Sequence, residues 1–198
     1  MAAREIADTV TAGGGTKKAI RDAAVQLFTA KGFEQSSLRE VADMVGITKA
    51  SLYYHYPSKL DLLLAIIDPI IDHLRGVTED IDAVPYDDEG IRAVLRGYLR
   101  GMIRYRDAGA LCVRDTAAIV HAIADRYPDL LEPTRGMRIW LAGPDPTPAA
   151  LLRAAAAIEV LGVALLSSEF APDAPDELVE KTLLDAAICV LTGCAHSS

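Results

Sequence analysis

The chain has 198 residues and a net charge of −8, with a pI near 5.0 and a mean hydropathy of +0.21. That length can bury a real core without disulfides or metals, and the acidity taken as an average argues against a polyanion partner. The average conceals a split. Residues 16–60 hold seven Lys/Arg against four Asp/Glu, a net +3; residues 61–198 hold 12 against 22, a net −10; the first 15 residues carry −1.

Alanine (32) and leucine (23) set a helix-forming bias, and alternating Val/Ile/Thr runs of strand type are missing. The reading is all-α, with about nine helices. Cys112, Cys189 and Cys194 are odd in number and scattered. They give no disulfide framework and no metal-ligand spacing, and they suit a reducing cytoplasm. Residues 1–15 lack the apolar stretch of a signal peptide and read as a disordered lead-in ending at Gly13-Gly14-Gly15. The greasiest stretch, Ala149 to Leu166, contains Arg153 and Glu159. A charge at mid-membrane costs about 2.5–3.5 kcal/mol even on a gentle scale, so no membrane span is expected.

In chain order, a first helix runs from Lys17 to about Lys31 with Ile20, Ala23, Ala24, Leu27 and Phe28 on one face. Gly32 stops it. Ser37 opens a second helix as N-cap, with Glu40 placed to complete a capping box. Leu38, Val41, Ala42 and Val45 form its buried stripe. Gly46 follows where the chain must turn sharply, Ile47 plugs the turn, and Thr48 caps a third helix that Pro57 ends. Helix, tight glycine turn, helix is the helix-turn-helix arrangement, whose second helix enters the DNA major groove. Any two short helices joined by a glycine turn share that bare pattern. A fourth helix begins at Ser58 and holds Pro69 inside it, where a kink or break is expected.

The residues themselves say more than the pattern. Ala23-Ala24-Val25-Gln26-Leu27-Phe28-Thr29-Ala30-Lys31-Gly32-Phe33, followed by the run from Ser37 through Gly46-Ile47-Thr48-Lys49-Ala50-Ser51-Leu52-Tyr53-Tyr54-His55-Tyr56-Pro57-Ser58-Lys59, closely resembles the N-terminal domain of the tetracycline-repressor (TetR) family of transcriptional regulators. The likeness covers about residues 16–64. Two departures are mild: Tyr56 stands where Phe is usual, and Leu60 where an acid is common. By position in the motif, Arg39 and Lys49 are the expected readers of base edges, since cationic side chains suit the O6/N7 edge of guanine. Thr48, Ser51, Tyr53 and His55 would hold phosphates, Lys59 would clamp one from the start of the fourth helix, and Ser37 would cap its helix with or without a phosphate there. Tyr54 fits either a core position beneath the third helix or a DNA contact.

The body follows. A fifth helix starts after Asp87-Asp88-Glu89, with Ile91, Val94, Leu95, Tyr98, Leu99, Met102 and Ile103 on its apolar face. Its other face carries Arg92, Arg96, Arg100 and Arg104, either an anion site or a solvated stripe paired with carboxylates. Gly97 and Gly101 beside the stripe leave room for another helix or a ligand. A sixth segment spans about Ala108 to Arg126 and a seventh about Pro128 to Leu141. The resemblance places a small-molecule pocket among these helices, and Tyr98, Met102, Tyr105, Cys112, His121, Met137 and Trp140 are its candidate lining. The last two helices, about Thr147–Ser168 and Pro175–Gly193, are rich in small apolar residues and would pack on a second copy as a four-helix bundle, a homodimer the resemblance also implies.

The expected organisation is a tail (1–15), a helix-turn-helix DNA-binding head (16–60) and a ligand-binding and dimerisation body (61–198). The expected function is a ligand-responsive transcriptional regulator in the cytoplasm, a repressor released from a palindromic operator on double-stranded DNA by a small, mostly apolar effector. No cofactor or metal is expected, and no enzyme: phosphate loops, nucleophile elbows and paired-histidine ligand motifs are missing from the sequence. The alternatives are a redox-responsive regulator acting through its cysteines, or a helical ligand-binding dimer with no DNA role.

Overall fold

The computed structural model describes residues 13–128 and 132–193, and every described element is helical. The described residues form two compact units. One holds residues up to Asp68 together with Leu111–Arg126; the other holds Pro69–Ala110 and the chain from Tyr127 onward.

In the first unit, α1 (Gly13–Lys31) starts earlier than the sequence suggests. Gly13–Gly15 form its first turn rather than the end of a lead-in; the rest of that lead-in lies outside the described residues, as does Cys194. Gly32 takes φ +88° and ends α1. Next come α2 (Leu38–Val45) and α3 (Lys49–His55). Ile20, Ala24 and Phe28 of α1, Val41 and Ala42 of α2, and Leu52 of α3 are almost fully buried. A small Ala42 at the crossing lets α1, α2 and α3 approach closely. Val45 and Ile47 are half-buried rather than core.

The fourth helix, α4 (Lys59–Thr78), continues through Pro69 without breaking. The units nevertheless part between Asp68 and Pro69, so the expected boundary at residue 60 falls inside this helix. Proline removes the N–H that would bond the carbonyl four residues back, which weakens the helix at that step.

In the second unit, α5 (Asp88–Arg104) is capped by Asp87, whose carboxylate accepts from Gly90 N–H at 2.8 Å. The expected sixth segment is two helices, α6 (Arg106–Arg114) and α7 (Thr116–Ile123), broken at Asp115. The chain passes from one unit to the other inside α6, between Ala110 and Leu111. Further along lie α8 (Glu132–Leu141), α9 (Pro148–Gly162), a 3₁₀ turn (Val163–Leu166), α10 (Ser167–Phe170) and α11 (Asp176–Thr192). Pro148–Phe170 is long and apolar enough to cross a membrane by composition. Here it is interrupted by the 3₁₀ turn, and α9 packs on α5, α8 and α11. The core joins Leu95 and Leu99 of α5, Met137 and Leu141 of α8, Ala154, Ala157 and Leu161 of α9, and Leu184 and Ala187 of α11.

The arginine stripe of α5 resolves as ion pairs with α11. Arg92 meets Asp185 at 3.7 Å, while Arg96 and Arg100 share Glu180 at 3.4 and 3.0 Å. Arg104 lies over the Tyr105 ring. On the α4 side, Gly101 makes a slot for His73, whose Nε2–H donates to the Gly97 carbonyl at 3.0 Å. A Cβ on Gly101 would lie 2.2 Å from the imidazole.

Candidate DNA-binding surface

Two short helices are held at a fixed angle by local chemistry that the sequence specifies. Ser37 takes an extended backbone, and its hydroxyl accepts from Glu40 N–H at 3.3 Å. The Glu40 carboxylate reaches back to Ser37 N–H at 2.9 Å and also accepts from Ser37 Oγ–H at 2.8 Å and from the Lys31 ammonium. Lys31 above all, then Ser37, pulls the Glu40 carboxyl down to about 2. Gly46 sits at φ +75° and its N–H bonds the carbonyls at the end of α2, so the turn needs the left-handed backbone that glycine adopts most cheaply. Thr48 then caps α3 by accepting from Ser51 N–H at 3.1 Å.

With Leu52 fully buried as its anchor, α3 turns Lys49 and Tyr53 outward one helical turn apart, the ammonium 5.3 Å from the ring centre. Arg39 is exposed on α2, and its nearest acid is Asp43 at 4.0 Å, a weak pairing that leaves the guanidinium able to engage another group. Ser37, Arg39, Thr48, Lys49 and Tyr53 are exposed; Ser51 and His55 are half-buried.

Lys59 has another job in this structure. Its ammonium donates to the carbonyls of Phe33, Glu34 and Ser36 at 2.8, 3.1 and 3.0 Å, and lies 4.4 Å from the centre of the Phe33 ring. All three N–H donors are therefore engaged within the chain. The sequence showed a lysine at the start of a helix but not the carbonyls that await it 23–26 residues earlier.

Tyr54 is 86% exposed and stacks edge-on against His55. The core alternative for this residue does not hold, and Tyr54 joins the outward-facing set. Its place one residue after Tyr53, with Leu52 and Tyr56 as the buried positions, was the available signal. Ser36, buried and donating to the Gly32 carbonyl at 2.7 Å, is a further residue sequence reasoning passed over.

The expected ligand-lining residues are divided between the two units. In the second unit Met102 and Met137 are closed core, and Tyr98 packs against that core, its phenol pushed up to about 12 by burial and then by the charge of Glu159. Tyr105 stacks on His73, and Trp140 stacks on Tyr86. In the first unit Cys112 is half-buried and His121 is exposed. An apolar cavity of about 300 Å³ lies by α10 and α11, where its walls include Val163, Phe170, Leu178 and Leu183. Among the described residues no group of His, Cys, Asp and Glu could hold a metal ion.

Comparison with known proteins converges on this surface. Residues 20–66 match the bacterial regulatory proteins of the tetR family. The HTH-type transcriptional regulator RutR of Escherichia coli (strain K12) is 35% identical over 83 residues, which are 40% of this chain and 39% of RutR. The chain thus matches about two fifths of the length of this curated relative. The structure of AmtR from Mycobacterium smegmatis aligns with a TM-score of 0.70 and 22% identity, over 87% of this chain and 84% of AmtR. That of the SmeT–triclosan complex aligns with a TM-score of 0.58 and 19% identity, over 88% and 90% of the two chains. At those identities the structures show a shared fold, and the relatives matched by sequence are regulators rather than enzymes. Residues 20–66 are thus a helix-turn-helix head of the tetR family of bacterial regulatory proteins, carried on an all-helical chain that shares the fold of AmtR.

Proposed function

We propose that this chain is a homodimeric, ligand-responsive transcriptional regulator that represses by occupying a palindromic operator and leaves it when a small, mostly apolar effector binds the body. The observation that carries the DNA role is the outward set on α2 and α3: Arg39, Thr48, Lys49, Tyr53 and Tyr54 exposed around a glycine turn of left-handed backbone. Lys49 and Arg39 present cationic donors of the kind that read guanine, and the hydroxyls and phenols suit phosphate oxygens.

The remaining apolar surface supports a dimer. Leu152, Val163, Phe170 and Leu178, on α9 to α11, stay largely exposed, and a second copy covering them would remove that surface from water. Two recognition helices about 34–36 Å apart would then meet successive major grooves. SmeT, which shares the fold, has been solved in complex with triclosan, and this supports a small-molecule effector here. Effector and operator would weaken each other by equal factors, because both act on one conformational equilibrium. A cytoplasmic location goes with the DNA role.

The test is selection of duplexes from random DNA by the full chain, followed by a compound screen for release. The expected result is an enriched palindrome, bound with sequence preference by the parent chain and without it by Lys49→Ala. Failure to enrich a palindrome would overturn the reading.

A further inference from the structure

In the first unit, both backbone polar groups of Phe33 are held by charged side chains distant in sequence. Phe33 N–H donates to Asp115 Oδ2 at 2.8 Å, and the Phe33 carbonyl accepts from Lys59 Nζ at 2.8 Å. The Phe33 ring sits beneath that ammonium and edge-on to Phe28 at 5.3 Å. Both hydrogen bonds are charge-assisted, the stronger kind.

The two partners sit on informative elements. Lys59 opens α4, and Asp115 follows directly on α6. These are the two helices inside which the chain passes between its units. Asp115 also occupies the N-cap position of α7, a site where aspartate normally serves its own helix. Its side chain makes no such bond. The carboxylate reaches 82 residues back along the chain instead, and lies against Gly32, where a Cβ would be only 3.6 Å from Oδ2. Between Phe33 and α2 are only Glu34, Gln35, Ser36 and the cap Ser37. Whatever fixes the Phe33 backbone therefore fixes the start of α2, and through Gly46 the pose of α3.

We propose that Asp115 is a positioning residue for DNA binding: its carboxylate, opposite Lys59, clamps the α1–α2 turn and thereby sets the presentation of α2 and α3. This rests on the DNA-binding reading above. It gives the end of α6 a hold on the α1–α2 turn, and through α2 on the recognition helix.

The test uses the full chain, amide hydrogen exchange at Phe33, and affinity for a duplex enriched from random DNA by the parent protein. Asp115→Asn keeps an acceptor oxygen in place. It should keep Phe33 N–H protected and bind within about twofold of the parent. Asp115→Glu keeps the charge but displaces the oxygen by a methylene, and Asp115→Ala removes it. Both should release Phe33 N–H and lose about tenfold in affinity, the size expected for one charge-assisted bond. The glutamate variant keeps the test decisive if the alanine variant does not fold. Parent-like affinity in a variant whose Phe33 N–H exchanges freely would overturn the proposal, as would an asparagine variant as impaired as alanine. If no duplex is enriched, the DNA role itself falls, while an unprotected Phe33 N–H in the parent would remove the clamp independently of any DNA.

Discussion

Tyr56 stands where the family resemblance leads one to expect phenylalanine, and the structure shows what the extra oxygen does. The residue ends α3, with its N–H on the Leu52 carbonyl at 2.9 Å. It is only 5% exposed, and its hydroxyl has no hydrogen-bond partner. An unpaired buried hydroxyl costs about 1–3 kcal/mol. Tyr56→Phe removes that cost, keeps the ring and leaves a void of one oxygen, about 10–15 Å³, worth roughly 0.3 kcal/mol at the cavity rate. The variant should therefore be more stable by about 1–2 kcal/mol. For a chain of this length that is a rise of about 2–8 °C in Tm. Urea unfolding read at α-helical ellipticity should show a higher midpoint with unchanged slope. Duplex affinity should not move, since the hydroxyl faces inward. A variant equal to or less stable than the parent would refute the reasoning, and would mean that the hydroxyl is satisfied in solution.

Three further outcomes follow from the geometry. Gly101→Ala should destabilise by about 1–3 kcal/mol through its clash with the His73 ring, and adding His73→Ala should recover part of that loss in a double-mutant cycle; simple additivity would dismiss the slot. Because the Glu40 carboxyl is pulled from 4.5 down to about 2 by Lys31 and Ser37, its contribution to stability is complete above about 4.5 and fades as pH falls toward 2; Glu40→Gln should flatten the acid limb of the stability profile in that window, and an unchanged limb would rule the interaction out. Burial pushes the Cys112 thiol up to about 11, so iodoacetamide at about pH 8 should label it slowly in the folded chain and rapidly in urea; fast labelling of the native protein would revive a redox role.

The parts of the head legible in the sequence are those governed by neighbours within four residues. The Ser37–Glu40 box, the Thr48 cap and the Gly46 turn each depend on local spacing, and each is where the pattern puts it. What the sequence hid is long-range. Lys59 could be read as a free cation because nothing nearby reveals the three carbonyls that hold it. Asp115 lay inside an expected continuous helix, and only the fold shows both the break there and the Phe33 N–H that its carboxylate meets. The candidate ligand residues pose the same difficulty: an apolar face marks Met102 and Met137 as buried but does not distinguish a filled core from a cavity wall.

The charge split acquires a physical meaning from the α5–α11 pairs. Four arginines spaced by four residues read, in sequence, as either an anion site or a solvated stripe paired with carboxylates. Arg92, Arg96 and Arg100 are matched by Asp185 and Glu180. Exposed pairs of this kind add about 0–1 kcal/mol each, so their consequence is not mainly stability. They offset part of the field of the stripe at close range, within a body that is acidic as a whole. Beyond about 8 Å at physiological ionic strength that field is screened, so the body would oppose DNA only where it came close, while Arg39 and Lys49 remain exposed on the head. Acidity of the whole chain and binding of a polyanion by its head are then compatible, and the pairing with Asp185 and Glu180 makes the stripe a weaker anion attractor than four free arginines would be.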